Sequence, residues 1–120
     1  MKTWLRRGNL ALITLFATSS GLFKVIGALT RRGTPDAWWE ADNAVFAHLG
    51  LSITAVGVFG ATQLLAGAAM VPSRSRKVAA LAVAACNLFA TAGLFAAGIQ
   101  PFGVVSIVFV VMAVVAAIAG

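Results

Sequence analysis

Charge is scarce in this chain, and acid is scarcer still. Of 120 residues only 10% are charged, and just three are acidic: Asp36, Glu40 and Asp42. A soluble domain carries about a quarter charged residues. So few charges cannot cover a surface in water, which makes lipid the expected solvent. There is one cysteine, Cys86, inside an apolar run. It excludes an intrachain disulfide and any Cys-x-x-Cys motif or zinc-ligand spacing. There is one histidine, His48, so the chain cannot by itself supply two histidine ligands to a b-type haem. A Gly-rich phosphate loop is missing, as is a Ser-His-Asp set in workable order. These absences argue against a self-contained hydrolase or metalloenzyme. A small drug/proton antiporter of this size would be expected to carry an acid in its first helix, where this chain carries Lys24.

What is present is apolar: 61% of the residues are hydrophobic. Four apolar segments stand out, roughly 9–29, 45–71, 78–99 and 102–119. Each has about 18 to 27 residues, enough to cross about 30 Å of hydrocarbon as a helix. Membrane strands would alternate polar and apolar residues, and these runs do not. The expected fold is all-α: one polytopic membrane domain over 1–120, a four-transmembrane-helix bundle with an outer connector at 30–44. The first segment has the basic start and small residues of a secretory signal. However, its apolar run continues through Leu22, Phe23, Val25 and Ile26, so it reads as an uncleaved first helix.

The net charge of +6 does not point to nucleic acid. All nine basic residues lie at or near the ends of apolar runs, where they orient helices and meet lipid headgroups. Lys2, Arg6 and Arg7 precede the first segment, and Arg74, Arg76 and Lys77 separate the second from the third. Both places are expected in the cytoplasm, with both termini inside. Arg31 and Arg32 lie on the outer side, near the three acids. In the inner loop Pro72 ends a helix, and Ser73 or Ser75 can cap the next. In the turn "GIQPFG", Gly98 suits a helix end and Pro101 a first turn, giving a tight antiparallel hairpin.

The outer connector "TRRGTPDAWWEADN" holds the densest polar sequence. Thr34, Pro35 and Asp36 are the pattern of a helix start. Trp38 and Trp39 suit the headgroup layer, and the connector could lid a cavity. Lys24 lies about five residues, or roughly 7–8 Å, from the outer end of the first helix. Two readings are open: its stem snorkels to the interface, or it points into the bundle towards a connector acid or a ligand. Ser20 is one turn earlier on the same face. His48 is one turn from Ser52. It is either a packing residue or a proton carrier or quinone contact. Gln63, Asn87 with Thr91, and Thr14 with Thr18 read as interhelical or backbone hydrogen bonders, or as a polar stripe. Gly50, Gly57, Gly60 and Gly67 predict close helix packing. The last segment, with Ser106 as its only polar residue after the turn, reads as facing lipid or a partner.

These features together resemble the DoxX-like family of small four-helix membrane proteins. The likeness rests on Gly21-x-x-Lys24, the Pro/Trp connector, and the stretch "HLGLSITAVGVFGATQLLAGAAMVPSRSR" with its spaced glycines and Gln63. It implies a four-helix bundle and a membrane-embedded accessory or quinone-facing role, with Lys24 and Gln63 as the matching positions. His48 does not carry over.

Three functions are expected to compete. The first is an accessory or anchor subunit of a larger membrane complex, respiratory or redox, built by contact with other subunits or by self-association. The second is a quinone- or lipid-binding protein, with quinone the one cofactor candidate and Lys24, Glu40 and His48 converging under Trp38 and Trp39. The third is an oligomeric transporter with a polar path from His48 through Gln63 to Asn87. The Ala/Gly/Val-rich composition suits a bacterial inner membrane.

Overall fold

The computed structural model describes residues 2–30 and 37–119, without the side chains of residues 37, 38, 39 and 42. Five helices follow in order: α1 (Thr3–Thr30), α2 (Ala37–His48), α3 (Ile53–Ala69), α4 (Arg76–Ala96) and α5 (Gln100–Ala119). Three of them, α1, α4 and α5, are long and apolar enough to cross a membrane, and α3 is a shorter apolar helix. At 17 residues, α3 is about 26 Å long.

The second apolar segment, expected as one helix over 45–71, is split. Gly50 adopts φ +73°, which only glycine takes without strain. Its N–H bonds to the Ala47 carbonyl at 3.0 Å, and the Leu51 N–H bonds to the Phe46 carbonyl at 2.8 Å. That pair is a Schellman cap, which ends α2. The helix before the cap extends back to Ala37, so most of the expected connector is itself helical. The proposed start at Thr34–Asp36, and Arg31 and Arg32, lie outside the described residues.

Gly98 repeats the device at the end of α4. Its φ is +79°, and the Ile99 N–H reaches the Leu94 carbonyl at 2.8 Å. Ile99 then packs with Leu94 and Phe102, closing the short turn into α5. At the other end, neither serine caps α4 as expected. Ser75 occupies the N-cap position but makes no side-chain cap bond. Its hydroxyl instead donates to the Ala69 carbonyl at 2.7 Å. Arg76 reaches back in the same sense. Nε donates to the Met70 carbonyl at 2.9 Å and Nη2 to the Val71 carbonyl at 2.8 Å. A cation and a hydroxyl from the loop thus satisfy the carbonyls that a helix end leaves open.

The helices are inside out relative to a water-soluble bundle. The buried stripe of α1 is Ile13, Ala17, Gly21, Lys24 and Gly27. That of α3 is Val56, Gly60, Gln63 and Gly67. Large apolar side chains such as Leu12, Leu15, Leu65, Leu88 and Val111 point outward and are well exposed. Small residues inside and large apolar ones outside are what a lipid solvent favours, because hydrocarbon does not drive leucine inward. Exposed apolar surface on this scale is untenable in water.

α1 packs chiefly on α3, and α4 on α5; the two pairs meet where α3 touches α4 and α1 touches α5. The α1–α3 seam is made by glycine. A Cβ on Gly60 would run into the Lys24 Cβ and stand 2.8 Å from the Gly21 carbonyl oxygen. One on Gly67 would stand 2.9 Å from the Thr18 backbone nitrogen. Backbone atoms of α1 stand among the nearest neighbours at both positions, so the two helix axes approach closely. The main apolar core fills the end of the bundle near the α3–α4 loop, around Ile13, Met70, Val83 and Ala113.

Candidate functional site

The close α1–α3 seam places one cation inside the bundle. Lys24 is only 5% exposed. Its side chain points into the bundle, as one of the two readings had it, and the partners seen there include Ser20 and the Phe59 ring. Its Nζ donates to Ser20 Oγ at 2.5 Å, one helical turn back. Ser20 Oγ in turn donates to Gln63 Oε1, at a long 3.5 Å. Nζ also stands 5.8 Å from the centroid of the Phe59 ring. That is within the range at which a ring face attracts a cation, more strongly when water is excluded. Phe59 belongs to a cluster with Phe46 and Phe89, their centroids 5.5 to 6.0 Å apart. Burying an ammonium is costly unless donors and charge are satisfied. Here a hydroxyl relay and an aromatic face contribute to that.

Across the bundle, α4 and α5 bring a second polar group. Thr91 Oγ1 donates to Ser106 Oγ at 2.8 Å, and Ser106 Oγ donates to the Asn87 carbonyl at 3.2 Å. Thr91 Oγ1 also stands 2.7 Å from that carbonyl. Asn87 is 2% exposed, and its Nδ2 has no hydrogen-bond partner among the described residues. Buried side-chain donors are nearly always paired, so this one marks a place where a partner belongs.

The two groups face each other across a cavity of about 20 Å³, lined by Ser20, Lys24, Gln63, Asn87 and Ser106 among others. Phe16 and Phe109, which stack with centroids 3.5 Å apart, border the same space. A volume of roughly 10–15 Å³ accepts one water, so this cavity has room for about one. A water there can accept from Asn87 Nδ2, which would complete the bonding of the amide. A quinone ring does not fit.

The structure brings Lys24 and Gln63 together through Ser20, and it turns Glu40 and His48 away. Both of the latter are exposed on α2. Glu40 sits in the first turn of α2 and His48 in the last, the positions where an acid and a basic group complement the helix dipole. The side chains of Trp38, Trp39 and Asp42 lie outside the described residues, so the lid over a cavity is not described either. Gln63 and Asn87 share the cavity, and His48 does not line it. Among the described residues no group of His, Cys, Asp and Glu could hold a metal ion.

Ser106 is a departure from the sequence reading. The last helix was expected to face lipid or a partner throughout, yet Ser106 is buried and lines the cavity, flanked on its face by Gly103 and Ala113. Comparisons with protein-family models, with curated proteins and with solved structures give no match.

Proposed function

We propose that this chain is an integral membrane protein that acts as an accessory or anchor subunit of a larger membrane complex, respiratory or redox in kind, in a bacterial inner membrane. In this reading α1, α3, α4 and α5 all cross the bilayer, with both termini and the 70–75 loop on the cytoplasmic side. The basic residues Lys2, Arg6, Arg7, Arg74 and Lys77 support that orientation. The observation that carries the accessory reading is the size of the polar interior. Among the described residues Lys24 is the one buried cation, and it faces a cavity with room for about one water and no substrate. Meanwhile α5 offers an outward face of Val104, Val108 and Val111 to lipid or to a neighbour.

A second reading has one observation in its favour. Lys24 and Gln63, the positions that resemble the DoxX-like pattern, meet through Ser20. That supports a quinone- or lipid-facing redox role, with the ligand bound outside the small cavity. The oligomeric transporter reading draws only on Gln63 and Asn87 sharing the cavity.

Purification from native membranes in a gentle detergent, with mass spectrometry of everything retained, tests this order. Stoichiometric recovery of a larger complex is the expected result. A lone chain carrying quinone would reverse the order and make Lys24→Met the first variant to assay for ligand loss. A lone chain with nothing bound would refute the accessory reading.

A further inference from the structure

A groove of about 480 Å³ runs along the outside of the bundle between α1 and the end of α3. Its walls are apolar, formed by Leu10, Leu15, Met70 and Val71, and two arginines, Arg7 and Arg76, line it with them. Two threonines, Thr14 and Thr18, also line it, and the Thr18 hydroxyl is taken up by the Thr14 carbonyl at 2.6 Å within the same helix. Arg76 is fixed in position by its bonds to the Met70 and Val71 carbonyls. Arg7 is exposed on α1, seven residues before Thr14.

From Arg7 to Thr18 the groove follows α1 for about 16 Å at 1.5 Å per residue. Half the hydrocarbon thickness of a bilayer is about 15 Å. A slot with paired positive charge at one end and a hydrocarbon wall one leaflet deep matches one kind of molecule on both counts. We infer that this groove is a binding site for an anionic phospholipid. Its phosphate lies between Arg7 and Arg76, and one acyl chain lies along Leu10, Leu15 and Met70. The site is independent of the polar cavity and of which complex the chain joins.

The test is native mass spectrometry of the full chain released from nanodiscs of equimolar phosphatidylcholine and phosphatidylglycerol. The wild type is expected to retain one phosphatidylglycerol per chain in clear excess over phosphatidylcholine. Arg7→Gln should cut that excess roughly fivefold, the effect of one basic residue near a charged surface. Ala11→Trp, which fills the groove and keeps both charges, should lower retention of both lipids. Arg74→Gln removes an exposed charge that does not line the groove and should leave the excess unchanged. Melting temperature in the same nanodiscs checks that each variant is folded. Equal retention of the two lipids by the wild type would overturn the assignment. So would an Arg74→Gln variant that loses as much as Arg7→Gln, since the selectivity would then be general surface charge.

Discussion

The glycine seam between α1 and α3 makes Gly21→Ala the sharpest test of the packing. A Cβ at Gly21 would collide with the Leu64 backbone nitrogen and stand 2.5 Å from the Gly60 carbonyl oxygen and 2.9 Å from the Leu64 Cα. Ordinary contact begins at 3.4 Å, so the helices must part by about 1 Å. No rotamer change can relieve the clash, because every obstructing atom is backbone. A gap of that size forfeits a quarter to a half of each contact's dispersion energy along the seam, and overpacking costs about 1–3 kcal/mol. Against this, alanine gains about 1 kcal/mol over glycine in a helix interior. Taking about 3 kcal/mol for the clash, the net expected loss is about 2 kcal/mol. The control is Gly8→Ala, where a Cβ meets nothing within 4 Å and only the helix-propensity gain applies. Reversible SDS titration in mixed micelles, followed by circular dichroism, reads both variants. The reasoning is refuted if Gly21→Ala is as stable as wild type or as Gly8→Ala.

Three further outcomes follow from the same geometry. Asn87→Leu replaces a buried amide and the water it would hold with a bulkier apolar side chain, so it should cost about 1–3 kcal/mol through overpacking and lost bonds; stability equal to or above wild type in the same titration would mean that the cavity is dry and the amide unsatisfied. Arg76→Ala deletes the bonds to the Met70 and Val71 carbonyls and should cost about 1–2 kcal/mol, while Arg74→Ala, which is exposed, should change almost nothing. In a Cys86→Ala background, single cysteines at Lys2 and Ser73 should react with an impermeant maleimide only after the cell is opened, and one at Gln100 should react in intact cells. The reverse pattern would invert the proposed orientation.

The helical class and the four apolar segments were legible because hydropathy alone sets them. The break at Gly50 was not, because Leu49, Leu51 and Ile53 keep hydropathy high across it. The cap is written in the placement of Gly50 between Phe46 and Leu51. The same arrangement of Leu94, Gly98 and Ile99 was readable because Pro101 follows to mark the turn. The direction of Lys24 could not be settled by counting residues from a helix end, since a lysine near the interface satisfies itself by snorkelling or by pairing. The deciding fact is that Gly60 leaves no side chain between the α3 backbone and the lysine stem. Ser106 was overlooked because the apolar average of α5 hides a narrow stripe of Gly103, Ser106 and Ala113.

The burial of Lys24 also bears on how the chain is made. While α1 is the only helix synthesised, Lys24 has Ser20 one turn away but neither Gln63 nor the ring of Phe59 beside it. A lysine at the centre of a membrane helix costs about 2.5–3.5 kcal/mol to insert, and less near the interface. Gln63 follows Ser20 by 43 residues, so that cost persists until most of α3 has left the ribosome. The first helix is therefore expected to insert less completely by itself than with α2 and α3 attached. In a glycosylation-based insertion assay, Lys24→Leu should erase that difference, and equal insertion of short and long wild-type chains would contradict it. With the proposed topology, α1 is then expected to insert fully only when α3 is present to pack on it.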